Sequence, residues 1–280
     1  MRLSPIPFYY STHHPNLGDI VNPLLAETVF RCPTDHVDSR LALLFGIGSV
    51  LGKVFAWRFA LGRRLSGRSY PAAVIWTSGF LDPPAASQVP FRKLDVRALR
   101  GRRSREILEQ RTGRKFAVPL GDGGLLLDEL LPERPDRTIA VGLIPHYREL
   151  ASPELEAVRR RLPGAEIISP LGDPIDILRR IASCESILSS SLHGLIAADA
   201  FGIPNRHLLL PDSGRSRFKY EDYYSVFGLD DTPVTDREIL RDGITPEQIR
   251  RQYRIAPDQV AEIRGALRDA FPFPDGLSRR

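Results

Sequence analysis

Three consecutive serines run directly into Leu192-His193-Gly194 in the 280-residue sequence, which sets hydroxyls able to hold an anion beside an imidazole able to move protons. The full segment reads Ser186-Ile187-Leu188-Ser189-Ser190-Ser191-Leu192-His193-Gly194-Leu195, then an alanine-rich run to Gly202-Ile203-Pro204. A short apolar strand therefore ends in hydroxyls just where a helix begins. The first turn of a helix leaves backbone N–H groups without internal acceptors and attracts anions. The C-terminal edge of a strand is also where ligands bind in open α/β sheets. An imidazole placed there, with an ordinary pKa of about 6.5, can give and accept protons near neutrality. The competing reading makes the serines simple helix caps and His193 a packing residue.

Other segments offer partners for that chemistry. In Asn16-Leu17-Gly18-Asp19, Asp19 either positions a substrate hydroxyl or caps the helix starting near Ile20. His146 follows an apolar run between Pro145 and Tyr147, which directs it toward a strand-end cleft, and Asp122 lies in a turn between Gly121 and Gly123. Arg100, Arg148 and Lys219 are candidate cations for an anionic ligand. His13 and His14 are adjacent but have no obvious third metal ligand, and Cys32 and Cys184 lack metal-ligand spacing and read as buried thiols. Gly46-Ile47-Gly48-Ser49-Val50-Leu51-Gly52-Lys53 looks like a phosphate loop only superficially. A Rossmann fingerprint needs glycine at 51, and a nucleotide P-loop needs glycine at 47 and a hydroxyl at 54, so this segment reads as tight strand-to-helix packing.

The elements that must carry these residues are legible from hydrophobic patterning. Short apolar runs at 6–10, 41–48, 72–77, 94–99, 138–144, 165–169, 186–189 and 206–210 alternate with helical patterns, which predicts parallel sheets covered by helices on both faces. Residues 131–137, with two prolines and four charges, predict a linker between two doubly wound domains, 1–134 and 135–280. Val260, Ile263, Leu267 and Phe271 share one face of a terminal helix that packs on one domain or bridges both, and residues 81–89 read as a mobile surface loop. No run of roughly 18 uninterrupted apolar residues and no secretion signal occurs, which points to the cytoplasm. A content of 42% hydrophobic and 26% charged residues is that of a globular protein with a sizeable core. The net charge of +5 favours an anionic partner, yet basic and acidic residues are interspersed without interleaved aromatics, which argues against nucleic acid.

The order of these motifs resembles the polysaccharide pyruvyl transferases, and specifically their exopolysaccharide branch. That family carries a serine-rich strand end followed by Leu-His-Gly, an alanine-containing helix and Gly-Ile-Pro, as 186–204 does here. Asn16 to Asp19 is similar to its Asn-x-Gly-Asp loop, Val74 to Gly79 to its strand and glycine turn, and Val96 to Gly101 with Ser104-Arg105-Glu106 to its Arg-Gly segment. Leu120 to Gly124 is similar to its Gly-Asp-Pro turn, with Gly123 where proline is usual, while Pro145-His146-Tyr147 and Phe218 to Tyr224 resemble exopolysaccharide-branch segments.

The resemblance implies two Rossmann-like domains in a glycosyltransferase-B-like pair, with the active site in the cleft between them. It implies transfer of pyruvate from phosphoenolpyruvate to a sugar of a surface-polysaccharide precursor as a cyclic ketal, the acceptor being a lipid-linked oligosaccharide at the inner membrane face. His193 is then the proton-transfer residue and Arg100 the cation for the donor. Asn16, Asp19, Asp122, His146, Ser189, Ser190, Ser191 and Lys219 are the further substrate-binding candidates, with no metal or nucleotide cofactor. Many members have arginine before Leu-His, where this chain has Ser191, so a cation elsewhere must compensate, with Arg100 ranked ahead of Arg148 and Lys219. A nucleotide-sugar glycosyltransferase of the same architecture and a non-catalytic polysaccharide-binding relative are the alternatives.

Overall fold

The computed structural model describes residues 4–12, 16–57, 70–211 and 216–273. His13 and His14 lie outside them. In chain order the first half contains β1 (Ile6–Tyr9), α1 (Leu17–Thr28), β2 (Thr34–His36), β3 (Leu44–Phe45), β4 (Phe55–Trp57), β5 (Ala73–Ile75), β6 (Gln88–Pro90), β7 (Leu94–Val96) and α2 (Arg102–Thr112). A 3-10 helix, Gly123–Leu130, and the irregular residues 131–138 lead onward. The second half contains β8 (Ile139–Ile144), α3 (Pro153–Arg161), β9 (Ala165–Ile167), α4 (Pro174–Ala182), β10 (Cys184–Ser189), α5 (Leu192–Ala200), β11 (Asn205–Leu209), α6 (Phe218–Tyr224), β12 (Val234–Thr235), α7 (Asp236–Asp242), α8 (Pro246–Gln252) and α9 (Pro257–Asp269).

The fold is α/β, with two parallel five-stranded sheets ordered β2-β1-β3-β5-β7 and β12-β11-β10-β8-β9, consistent with two Rossmann-like units. Each of the eight apolar runs overlaps one of their strands. Central β10 shows why: all its residues except Glu185 are buried, and strands covered on both faces read as continuous apolar runs. Edge strand β2, Thr34-Asp35-His36, is half-buried to exposed and carries no such signal. The segment 81–89, read as a mobile loop, ends in β6, which pairs antiparallel with β4.

Register brings the functional segments level. Ser189 pairs with Ile144 on one side and His207 on the other, so the chain leaves β8 and β10 at the same height. Helix α5 then descends into the interior, buried along its whole length except His193, and packs against α1, α4, the 3-10 helix, β10 and β11. Its Gly194 permits this, since a methyl group there would overlap Ser189 Oγ and crowd Ile144. Helix α9 returns to the first half: Trp76 Nε1 donates to Leu267 O at 3.0 Å, Phe271 stacks on Phe30 at 3.7 Å, and Arg264 pairs with Asp128 at 2.7 Å. Because Val260 meanwhile packs in the cluster of Leu192, Leu195 and Tyr223, the helix bridges elements of both sheets. No helix among the described residues is long and apolar enough to cross a membrane.

Candidate active site

The loops leaving β1, β3, β8, β9 and β10 converge on one cavity of about 120 Å³, lined by Asn16, Asp19, Gly48, Ser49, His146, Tyr147, Pro170, Ser191, Leu192, His193 and Lys219. All but Lys219 follow the C-terminal end of a parallel strand in one sheet or the other. The cavity therefore lies where the ligand-binding edges of both sheets meet.

Asn16 caps α1, its Oδ1 accepting from Gly18 N at 3.1 Å while its Nδ2 donates to Asp19 Oδ2 at 2.6 Å. Burial pushes the Asp19 carboxyl up to about 7, against the opposing pull of its hydrogen bonds with Asn16 and of the Lys219 charge. One turn on, Asn22 fixes the glycine loop of β3, accepting from Ile47 N at 2.8 Å and donating to Ile47 O at 3.1 Å. A methyl group at Gly46 would overlap Asn22 and Phe8, so this glycine serves tight packing, as its sequence suggests.

His193 occupies the first turn of α5, its ring against the backbone of Gly18. Its Nε2 is buried and has no hydrogen-bond partner among the described residues. Burial, and secondarily the charges of Lys219 and Arg100, press its pKa down to about 3. The expectation of an ordinary imidazole titrating near neutrality is therefore corrected: in this site the ring is neutral at working pH. An unpaired buried polar atom costs on the order of 1–3 kcal/mol, so this placement of Nε2 is a cost carried by the fold.

Lys219 is buried on α6, its Nζ 4.9 Å from the Tyr220 ring centroid, and Tyr220 Oη donates to Ser190 O at 2.8 Å. The helix is held by an ion pair that sequence reading did not foresee. Arg100 is completely buried, its Nε donating to Asp222 Oδ2 at 3.0 Å, its Nη1 to Ser49 Oγ at 2.8 Å and its Nη2 to Phe80 O at 2.5 Å. Ser104 adds bonds to Asp222 from its amide, 2.8 Å, and hydroxyl, 2.6 Å. Methyl groups at Gly79 and Gly101 would overlap the Arg100 guanidinium and the Asp222 carbonyl, which explains both glycines.

The structure thus brings together Asn16, Asp19, His146, Ser191, His193 and Lys219 and leaves four expected residues out of the cavity wall. Arg100 is neutralised by Asp222 and reaches the wall only through Ser49, so it is a poor direct anion ligand. Asp122 is fully buried and caps the 3-10 helix, its Oδ1 accepting from Gly124 N at 2.9 Å. The Ser189 hydroxyl donates to Ile144 O and Ser191 O, both at 2.8 Å, and Ser190 Oγ is bonded to Glu149 Oε2. Their amides are also consumed, Ser190 N by Ile144 O at 3.1 Å and Ser191 N by Ser189 Oγ at 3.0 Å. What remains for an anion are the first-turn amides of Leu192 and His193, which have no in-helix acceptor by geometry.

Residues missed by sequence reasoning include Ser49, Pro170 and Glu149. Pro170 O accepts from Leu17 N at 2.9 Å, tying the β9 loop to α1. Buried Glu149 forms a capping box with His146, its Oε2 accepting from His146 N at 3.2 Å, and so fixes the loop after β8. An acid three residues after a strand-end histidine was the available signal.

A family model described as polysaccharide pyruvyl transferase matches residues 91–209, a span that takes in Arg100, Asp122, His146, Ser189 to Ser191 and His193. The chain is 26% identical over 224 residues to the succinoglycan biosynthesis protein ExoV of Rhizobium meliloti (strain 1021), covering 80% of this chain and 65% of that protein. It is 33% identical over 123 residues to the uncharacterized protein L143 of Acanthamoeba polyphaga mimivirus, covering 41% of this chain and 42% of that protein. The chain thus spans less than two thirds of the length of either relative. No solved structure matches it.

Proposed function

We propose that this chain, a member of the polysaccharide pyruvyl transferase family through residues 91–209, transfers pyruvate from phosphoenolpyruvate onto a sugar of an exopolysaccharide precursor as a cyclic ketal. What supports this reading is that Lys219, the first turn of α5 and His193, whose Nε2 is buried without a hydrogen-bond partner among the described residues, all line one cavity. Phosphoenolpyruvate presents a phosphate and a carboxylate on a three-carbon frame, which matches a site built from a point cation and a helix N-terminus. Lys219 and the amides neutralise the phosphate as it departs, and the Ser191 hydroxyl at the same wall adds a donor.

Lys219, rather than Arg100, supplies the charge that other members place before Leu-His. The neutral His193 ring acts as a hydrogen-bonding group toward the donor, and Asn16, Asp19 and His146 face the sugar hydroxyls. The acceptor is a lipid-linked oligosaccharide, presented to the protein at the membrane surface. The experiment is mass spectrometry of the organism's surface polysaccharide with and without this gene. Loss of a pyruvyl ketal from the repeat unit, restored by complementation, is the expected result, and an unchanged repeat unit overturns the reading.

A further inference from the structure

Ketal formation from phosphoenolpyruvate needs a group that is an acid toward the donor's methylene carbon and, once ionised, a base toward a sugar hydroxyl. The groups facing the cavity from each surrounding element are Asn16 and Asp19 at the start of α1, His146 and Tyr147 after β8, His193 on α5 and Lys219 on α6, with Arg100 behind Ser49. Lys219 is assigned to the donor's anionic groups, as under the proposed function. We propose that Asp19 carries the proton between acceptor hydroxyl and donor methylene, while His193 serves only as a hydrogen-bonding group; this rests on the reading of the cavity as a pyruvyl-transfer site.

The geometry gives Asp19 the means. Asn16 Nδ2 donates to Oδ2 at 2.6 Å, restraining the carboxyl, and Asp19 is part of the cavity wall. The same burial that keeps the His193 imidazole unprotonated keeps a large share of Asp19 in the protonated form at neutral pH, its pKa being pushed up to about 7 and that of His193 down to about 3. Between two groups in one cavity, the one whose pKa lies near working pH is the better acid–base catalyst.

The step balances. The π electrons of the donor's C=C bond take the proton from the Asp19 carboxyl, forming a methyl group and leaving the central carbon electrophilic. A lone pair of the first sugar hydroxyl closes on that carbon, and its proton passes to the Asp19 carboxylate, which is thereby restored. The bond from the central carbon to the phosphate oxygen then breaks with its electron pair on phosphate. The second hydroxyl adds and its proton leaves on the phosphate. Two hydroxyl protons are consumed, one into the methyl group by way of Asp19 and one into inorganic phosphate.

The test uses purified full-length protein, phosphoenolpyruvate, and the lipid-linked oligosaccharide fraction from cells lacking this gene, with phosphate release followed from pH 5 to 9. Absence of phosphate release by the unaltered protein counts against the pyruvyl-transfer reading itself, separately from the role of Asp19. Given release, Asp19→Asn should lose about 10²–10⁴-fold in turnover while still binding phosphoenolpyruvate in a ³¹P titration, which also reports that it is folded. Asn16→Ser keeps a good helix cap but removes the amide that favours the ionised carboxylate, so the alkaline limb of the rate profile should move to higher pH. Asp19→Asn turnover within a few-fold of the parent, or an alkaline limb unmoved by Asn16→Ser, overturns the proposal.

Discussion

The backbone of Gly18 lies so close against the imidazole of His193 that a side chain of even one carbon at residue 18 would occupy the space of the ring. The start of α1 and the start of α5 are thereby locked together at the cavity, one from each sheet. Gly18→Ala should accordingly displace the ring or separate the helices, at a cost of about 1–3 kcal/mol in stability. Thermal unfolding and donor titration on the same variant check this. Unaltered melting with unaltered affinity would mean that the contact constrains nothing.

Arg100 and Asp222 form a buried pair joining the loop after β7 to the helix of Lys219. Arg100→Ala leaves Asp222 buried and unpaired, a change that costs about 3–5 kcal/mol. Denaturant unfolding should show that loss, with phosphoenolpyruvate affinity of the folded fraction little changed at low temperature. A variant of normal stability with strongly weakened donor binding would return Arg100 to direct contact with the substrate.

Lys219 is assigned the opposite behaviour. Lys219→Gln removes a charged donor from the cavity wall, where such a bond contributes about 1.5–3 kcal/mol, so the donor dissociation constant should rise about 10- to 100-fold. Calorimetry with phosphoenolpyruvate measures it directly. The same substitution removes one of the charges that depress His193 and one that opposes the rise of Asp19, so both pKa values should move upward.

The two shifted groups also make opposed contributions to stability. His193 has a folded pKa of about 3, below its unfolded value near 6.5, so the unfolded state binds the extra proton between those limits and His193 weakens the fold as pH falls through that window. Asp19, with a folded pKa of about 7 above its ordinary value of 3.8, binds its proton in the folded state, so its contribution is lost as pH rises toward 7. In the window the two groups share their effects oppose each other, so on acidification His193→Gln should lose less stability than the parent and Asp19→Asn should lose more. Identical profiles for both variants and the parent would contradict these pKa assignments.

Much of this architecture is written locally. The buried parallel strands are continuous apolar runs, and Ser189 to Gly194 marks a strand-to-helix junction whatever surrounds it. The exceptions are physical ones. Edge strand β2 is polar because solvent reaches it, and β4 with β6 depends on a partner across intervening chain. Arginine is almost never fully buried without a counter-charge, and the partner of Arg100 lies 122 residues downstream, so its burial could not be read from its own segment. The hydroxyls of Ser189 and Ser190 and the amide of Ser190 look available in the sequence but are consumed by Ile144 and Glu149 of the neighbouring strand and its loop. The low pKa of His193 likewise arises from its burial, and secondarily from the charges of Lys219 and Arg100, which only the folded chain brings to it.

Transfer of pyruvate from phosphoenolpyruvate can be observed by incubating the purified protein with phosphoenolpyruvate and the oligosaccharide fraction from cells lacking the gene. Inorganic phosphate and the mass of the acceptor are followed together. One phosphate should be released for each acceptor that gains one pyruvate less one water. Release of a nucleoside diphosphate from an added nucleotide sugar, with no consumption of phosphoenolpyruvate, would contradict it.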